Sequence, residues 1–557
     1  MAINMKNEPI VIVGAGPAGL TMALMLARFG TRSTIIERRE KRSDHPRAHY
    51  VNTRTMELLR QWGVEEEVLA GAFPSEFMPL PLMEMMGGPS MEMRHSISPS
   101  IVTSVAQDVV EIALEKKLLS YGLTDIHWGV GVTGLTNGPD GVELALITSK
   151  GEVQTIKTRW CVACDGANST IRKQLNVEMI GHPNLDSILN IYFFGPIGGV
   201  DDVPSLGTQS VDSQVPGAFI CMDGYERHTF QYMMDDNEKA EDFDFASAER
   251  LIRRASGMAP TSKVDVKAIS AWTMTAHVAD SMTIGSVFLV GDAAHAFPPS
   301  GGFGMNSGIA DSHNLAWKLQ AILDGKGGAG LPLSYQAERQ PVAFLNTAQS
   351  FRNSKTMNLR GVPKPFSISE GTLELIDERA TKSVISVAAL AEEGDVREML
   401  EMVEHVAALG QELGYAYDQS TVIIPDGSPT IQNTVASYTQ NAAPGARAPH
   451  LWLLKGDTKI AIMDLFDRDL VLLTTTNGNA WRDAAVGLSM QWPLKSVSVG
   501  DRLDYESESV NFQDLYGIGS DGAVLVRPDG HVSFRSQGKV SDPQAVLEQA
   551  IKTSLGY

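Results

Sequence analysis

A buried-strand pattern, a carboxylate and a run of glycines follow one another at Gly291-Asp292-Ala293-Ala294-His295-Ala296-Phe297-Pro298-Pro299-Ser300-Gly301-Gly302-Phe303-Gly304-Met305-Asn306. The apolar run Val287-Phe288-Leu289-Val290 reads as a strand buried on both faces, so Asp292 lies just past its end, where a carboxylate can bind a sugar hydroxyl. Gly301, Gly302 and Gly304 let backbone come close to a planar ligand. The helix predicted from about Met305 to Leu323 aims its positive N-terminal end at that ligand. An electron-rich ring is stabilised in such a place, and a flavin is one.

A second segment brings phosphate chemistry. Gly14-Ala15-Gly16-Pro17-Ala18-Gly19 follows the strand-like Ile10-Val11-Ile12-Val13, opens a helix over Pro17 to Phe29, and precedes a second strand, Ser33 to Glu37. In this βαβ setting Gly14 makes the tight turn and Gly16 admits a pyrophosphate to backbone amides. Gly19 permits close helix packing, and Glu37 accepts a hydrogen bond from an adenosine ribose hydroxyl. Alone the motif does not separate FAD from NAD. A third segment, Cys164-Asp165-Gly166-Ala167-Asn168-Ser169 with Arg172, also follows a strand and opens a helix, with Ser169 as N-cap.

The elements that must position these segments divide the chain. With 557 residues, the length suggests about three to four units. Residues 1–185 and 281–417 read as two parts of an α/β dinucleotide-binding domain, with helix over Gln107 to Ser120 and Pro332 to Phe351 and more helix over 368–413. Between them lies a strand-rich unit, 186–280. Residues 418–449, rich in Pro, Gly, Ser, Thr and Asn, read as a linker. In 450–557 strands are expected at Lys459 to Leu465, Leu470 to Thr475, Lys495 to Val499, Ala523 to Arg527 and Val532 to Arg535. Pro528-Asp529-Gly530 turns the last pair, and a helix closes the chain at Asp542 to Lys552. That order resembles a thioredoxin-like domain. It contains no cysteine, so it reads as a packing or dimerisation module, which allows a homodimer.

Composition narrows the partners. Sixty-six acidic against 46 basic residues give a formal charge of -20, which disfavours nucleic acid and anionic membrane. No apolar run reaches the roughly 20 residues of a membrane span and Met1 to Pro9 has no signal-peptide core, so a soluble cytoplasmic protein is expected. Cys161 and Cys164 form a CxxC inside a strand-like run whose residues three apart face opposite ways. No metal site is read there.

The Gly14, Cys164 and Gly291 segments, in that chain order, resemble the class A flavoprotein aromatic hydroxylases over about residues 8–350. The match includes Tyr335-Gln336-Ala337-Glu338-Arg339-Gln340-Pro341 and, more loosely, Gly445-Ala446-Arg447-Ala448-Pro449-His450. The resemblance implies FAD held by Gly14, Gly16, Pro17, Ala18, Gly19, Glu37, Arg38, Arg47, Gln107, Asp165, Asp292, Pro299, Gly302, Gly304, Met305 and Asn306. Gln107 is expected at the ribityl chain, Asp292 at its hydroxyls, and the Gly304 to Asn306 backbone at the flavin ring. Phe303 stands where the family commonly has Gln, and Ser286 where an Arg is common. NADPH or NADH is implied as a transient reductant and dioxygen as co-substrate, with no second Rossmann motif for the nicotinamide.

Pro46-Arg47-Ala48-His49-Tyr50-Val51-Asn52-Thr53-Arg54 resembles the phenol hydroxylase branch, which includes 2-hydroxybiphenyl and chlorophenol monooxygenases. There the histidine position faces the substrate hydroxyl, so His49 is the implied general base and Arg47 its cationic helper. Attack on a flavin hydroperoxide requires an electron-rich arene, and a phenolate donates more than a phenol. Moving a proton from a phenol of pKa about 10 to a histidine of about 6.5 is uphill by roughly 5 kcal/mol, a cost that a cation, Arg47 or Arg54, would lower. Trp272, Pro298 and Met305, with His49, are the candidate lining of an aromatic-substrate pocket, and Phe297 is a further apolar candidate. The expected reaction is ortho hydroxylation of a phenol. A hydroxylase of larger polyketide aromatics shares the cofactor motifs, and a non-catalytic flavin-binding protein is the alternative from another class. A flavin disulfide reductase would need a cysteine pair soon after the first helix, and none is there.

Overall fold

The computed structural model describes residues 9–43, 45–78, 90–197, 205–356, 408–429, 431 and 433–557. Helices are labelled α1 (Pro17–Arg28), α2 (Thr53–Gln61), α3 (Gln107–Ser120), α4 (Phe303–Leu323) and α5 (Ser334–Thr356).

Ile10–Val13 is apolar throughout and forms a central strand of a six-stranded sheet. The order is Thr283–Ile284, Val287–Leu289, Trp160–Ala163, Ile10–Val13, Ser33–Glu37 and Thr124–Trp128. The last five are parallel, and Thr283–Ile284 is antiparallel at the edge. Helices α1 and α4 cross on one side of it with almost no side chain between them. A Cβ at Gly308 would meet the Ala18 Cβ at 3.2 Å, and the Ser312 hydroxyl donates to the Ala18 carbonyl at 2.8 Å. α4 is buried on nearly every face, so it shows no polar stripe.

The strand-rich unit is a five-stranded antiparallel sheet, ordered Gly207–Gln209, Gly217–Cys221, Arg227–Met233, Ser187–Phe194 and Asp265–Thr273. Alternation sends Leu189, Ile191, Phe193, Phe219 and Phe230 to one face, where the helix Phe245–Ser256 covers them with Ala248, Ile252 and Ala255. The other face carries Ile188, Asn190, Tyr192 and Met233. It is fastened to α3: Arg227 donates to both Asp108 oxygens at 2.8 Å and to the Tyr192 hydroxyl at 2.8 Å.

In the C-terminal part the sheet order is Leu494–Ser498, Leu470–Thr474, Ala523–Val526 and Val532–Ser536, with the first pair parallel and the others antiparallel. Helices Asn479–Ser489 and Pro543–Ser554 cover one face. The first of these was not expected, although Trp481, Ala484, Ala485 and Leu488 carry helical spacing. Lys459 to Leu465 is not one strand: Thr458–Ala461 is followed by a 3₁₀ turn, Ile462–Leu465.

Residues 418–449, with the composition of a linker, are packed down at several points. Ser420 donates to Glu338 at 2.7 Å, and Val422, Ile423, Ala442 and Arg447 are buried. Of the helix expected over 368–413, Leu409–Leu413 is described and 368–407 lies outside the described residues. Among the described residues no helix is long and apolar enough to cross a membrane.

Candidate active site

The first glycine segment makes a cradle with an open floor. Gly14 has φ +109°, and a Cβ there would lie 2.2 Å from the Cys164 carbonyl oxygen, so only glycine lets the turn pass the neighbouring strand end. At Gly16, by contrast, a Cβ would meet nothing within 4 Å. Gly16 also caps α1 without a side-chain hydrogen bond, leaving the helix's first N–H groups free for a phosphate. Glu37 is partly committed already, accepting the Ala15 and Arg39 N–H groups at 2.9 Å each. It fixes the glycine turn, and Arg38 beside it is exposed.

The segment after Val287–Leu289 is built around a carboxylate that local sequence does not advertise. Asp311, inside α4, accepts the Gly291 N–H at 3.2 Å and a His295 Nε2 bond at 2.7 Å with one oxygen, and Arg339 Nε at 2.7 Å with the other. Arg339 and His295 hold the Asp311 carboxyl below the usual range despite its burial. His295 stacks on Phe297 at 4.7 Å and so serves the turn. The adjacent Asp292 has no hydrogen-bonding partner among the described residues. Its side chain is exposed, yet enclosure by surrounding protein pushes its carboxyl pKa upward against the pull of His295 and Arg47. A carboxylate exposed and without a partner among the described residues is open to a ligand.

Gly302 caps α4 in the left-handed region, φ +65°, and a Cβ there would sit 2.6 Å from the Tyr50 ring. Past it, Gly304 faces open space. The Asn306 side chain is occupied within the protein: Oδ1 accepts the Asn52 N–H at 3.1 Å, and Nδ2 donates to the Tyr50 carbonyl at 3.0 Å and the Gly302 carbonyl at 2.6 Å. The Pro299 carbonyl accepts the Gly302 N–H at 3.0 Å. Phe303 is buried beside Gly301.

Asp165 acts as a cap. Its Oδ2 accepts the Thr170 and Ile171 N–H groups at 2.8 and 3.2 Å, while Oδ1 is buried without a partner among the described residues. Ser169 caps the same short helix as expected, accepting Arg172 N–H at 3.0 Å, and Arg172 donates to the Ala293 carbonyl at 2.9 Å. The Cys164 and Gly291 segments therefore lock together. The open glycines, the two helix N-termini without side-chain caps, and Asp292 and the Asp165 Oδ1, which have no partner among the described residues, fit a dinucleotide such as FAD.

His49 lies at the end of the short strand Tyr50–Val51, which pairs with Thr103–Ser104. Its Nδ1 is 3.0 Å from the Ser104 hydroxyl, and Nε2 has no partner among the described residues. Burial lowers its pKa to about 4, so the ring is neutral at neutral pH. Ser104 was missed because it lies 55 residues away in sequence. Gln107 holds the same strand end, its Oε1 accepting the Ala48 N–H at 3.2 Å while Nε2 donates to Glu111 at 2.7 Å. Arg47 stands among Asp292, Glu111, Arg38 and Arg39. Burial and Arg39 lower its pKa while Asp292 and Glu111 oppose them.

Arg54, the other candidate cation for His49, is not available to it. Its guanidinium pairs with Glu57 at 2.9 Å and donates to the Asp529 carbonyl at 2.8 Å, because α2 turns it toward the C-terminal domain. Trp272 packs with Ile188, Met233 and Met274. Pro298 is buried, and Met305 is half-buried against the main core.

Residues 7–350 match the family model described as FAD binding domain, and residues 441–557 match that of the aromatic-ring hydroxylase C-terminal region. The chain is 30% identical to a 4-methyl-5-nitrocatechol 5-monooxygenase of Burkholderia sp., covering 98% of this chain and 97% of that one. It is also 30% identical to an aklavinone 12-hydroxylase of Streptomyces purpurascens, over 99% of this chain and all of the other. The crystal structure of the flavin-dependent monooxygenase PieE with FAD and substrate superposes with TM-score 0.86 at 28% identity, covering 100% of both chains.

Proposed function

The chain belongs to the FAD-dependent aromatic-ring monooxygenases, and from that membership we propose that it hydroxylates a phenolic ring ortho to its hydroxyl, consuming NADPH or NADH and dioxygen. FAD, when bound, carries electrons from the nicotinamide to dioxygen and so supplies the oxidant. What the chain's own residues do is hold the cofactor, orient the ring and handle one proton.

The observation that carries the phenol reading is His49, neutral, held at Nδ1 by Ser104 and with no partner at Nε2 among the described residues. A phenol hydroxyl donating to Nε2 becomes more electron-releasing. Full transfer in the resting complex is unfavourable, since six pKa units between a phenol and a histidine of about 4 amount to roughly 8 kcal/mol. The proton therefore shifts only as the ring is attacked and its hydroxyl turns acidic, the timing of general-base catalysis. Arg47, near Asp292, is the cation that favours negative charge on the substrate oxygen. Trp272, Pro298 and Met305 supply apolar surface for the ring. The C-terminal strand order supports a thioredoxin-like domain without thiol chemistry.

A second reading has its own support: the match to the aklavinone hydroxylase is as extensive as that to the nitrocatechol enzyme, so a larger polycyclic phenol is also a candidate substrate. One screen tests both. Purified protein loaded with FAD is offered simple and polycyclic phenols, and stimulated NAD(P)H oxidation is followed with product identification by mass. Hydroxylated product from either group supports the assigned reaction, and the ratio of kcat/KM values chooses between them. Hydrogen peroxide without hydroxylated product from any of them contradicts it.

A further inference from the structure

The hairpin around Asp529 carries charge deep into the flavin-binding half. Arg527 donates to both Glu338 oxygens, at 2.6 and 2.8 Å, and pairs with Asp529. Glu338 also receives Lys318 at 2.7 Å and Asn314 at 2.6 Å, and these charged side chains are fully buried. The next residue on α5, Arg339, grips Asp311, which holds the Gly291 N–H and His295. On its other side the hairpin accepts Arg54 at the Asp529 carbonyl. Arg54 is the second residue of α2, whose cap Asn52 follows His49-Tyr50-Val51 directly and is bonded to Asn306. One turn of the C-terminal domain thus touches both the flavin-turn support and the arm bearing His49.

We infer that Arg527 and Asp529 are positioning residues of the FAD site. They fix Glu338 and Arg339, and through Asp311 the Gly291-Asp292 turn, while the Asp529 carbonyl fixes the His49 arm through Arg54. The domain also shares apolar core with the flavin-binding half, through Leu470, Trp481, Leu547 and Ile551, so packing alone does not call for these buried charges. Buried ion pairs add little net stability for the desolvation they require, but they enforce geometry, and a bidentate guanidinium admits one arrangement. The inference rests on the FAD reading.

The test compares Arg527→Lys, which keeps the charge and loses the fork, and Asp529→Asn, which keeps size and the carbonyl, with Leu472→Ala, a cavity in the buried core of the same domain. The FAD dissociation constant is read by flavin fluorescence well below each melting temperature. The expected result is a rise of at least tenfold in the two hairpin variants and less than twofold in Leu472→Ala. Wild-type affinity in either folded hairpin variant, an equal loss in Leu472→Ala, or failure of both hairpin variants to fold while Leu472→Ala folds overturns positioning. Absence of FAD binding by the wild-type chain would instead defeat the cofactor reading.

Discussion

Asn306 Oδ1 accepts the backbone N–H of Asn52 at 3.1 Å, across 254 residues of sequence, and so ties the glycine-rich entry of α4 to the strand that carries His49. Cofactor cradle and proposed proton acceptor are thereby set at a fixed separation. Asn306→Asp replaces the amide donor facing the Tyr50 and Gly302 carbonyls with a carboxylate oxygen. Each buried partner left unsatisfied costs about 1–3 kcal/mol. A lower melting temperature and weaker FAD binding are expected together; wild-type values of both in that variant would show the tie to be dispensable.

Open and closed glycines should respond oppositely to substitution. Gly304→Leu adds a side chain where a Cβ meets nothing within 4 Å, and it replaces a helical glycine, worth roughly 1 kcal/mol of helix propensity. The apo protein should fold at least as stably while FAD binding is lost. Gly19→Ala puts a Cβ 1.9 Å from the Gly14 carbonyl oxygen and should damage the fold itself. Thermal unfolding and flavin titration of the two proteins separate these outcomes, and retention of FAD by Gly304→Leu would move the flavin away from α4.

His49 makes a prediction about pH. A base with pKa about 4 stays unprotonated well below neutrality, so the acid limb of kcat/KM should fall near pH 4 to 5 and not near 6.5. His49→Gln should lower kcat for hydroxylation by about 10²–10⁴-fold with FAD affinity unchanged. An unaltered rate and profile in that variant would remove His49 from the chemistry.

Stability should fall on mild acidification. His49 and His531 have pKa values lowered by burial, and His313 and His450 are each lowered to about 3. Each ring binds a proton more readily when unfolded, so its contribution is complete above the unfolded value of about 6.5 and is lost as pH falls toward the folded one. Glu338, lowered to about 2, and Asp311 add a second loss below about pH 4, with the same sign. A melting temperature that declines steadily from pH 7 to pH 4.5 is expected, and one that stays flat would contradict the burial of these rings.

What was legible in the chain was local. The turn Gly14 to Gly19 and the start of α1 follow from an apolar strand, glycine and Pro17 at the first helical position, and the glycine entry to α4 follows likewise. What was hidden depends on distant partners. Asp311 sits in a helix buried all round, where no polar stripe singles it out. Arg527 and Asp529 read as an ordinary hairpin turn, because Glu338 is 189 residues from Arg527. Arg54 fits a catalytic segment by sequence, and only the direction of α2 turns it away.

The central claim, that this chain inserts oxygen into a phenolic ring, is tested most directly by supplying isotopically labelled dioxygen to the FAD-loaded protein with NAD(P)H and its best substrate from the screen. One labelled oxygen atom in the product per nicotinamide consumed, ortho to the original hydroxyl and strongly reduced in His49→Gln, is the predicted result. Label confined to hydrogen peroxide and water, with the phenol recovered unchanged, would contradict it.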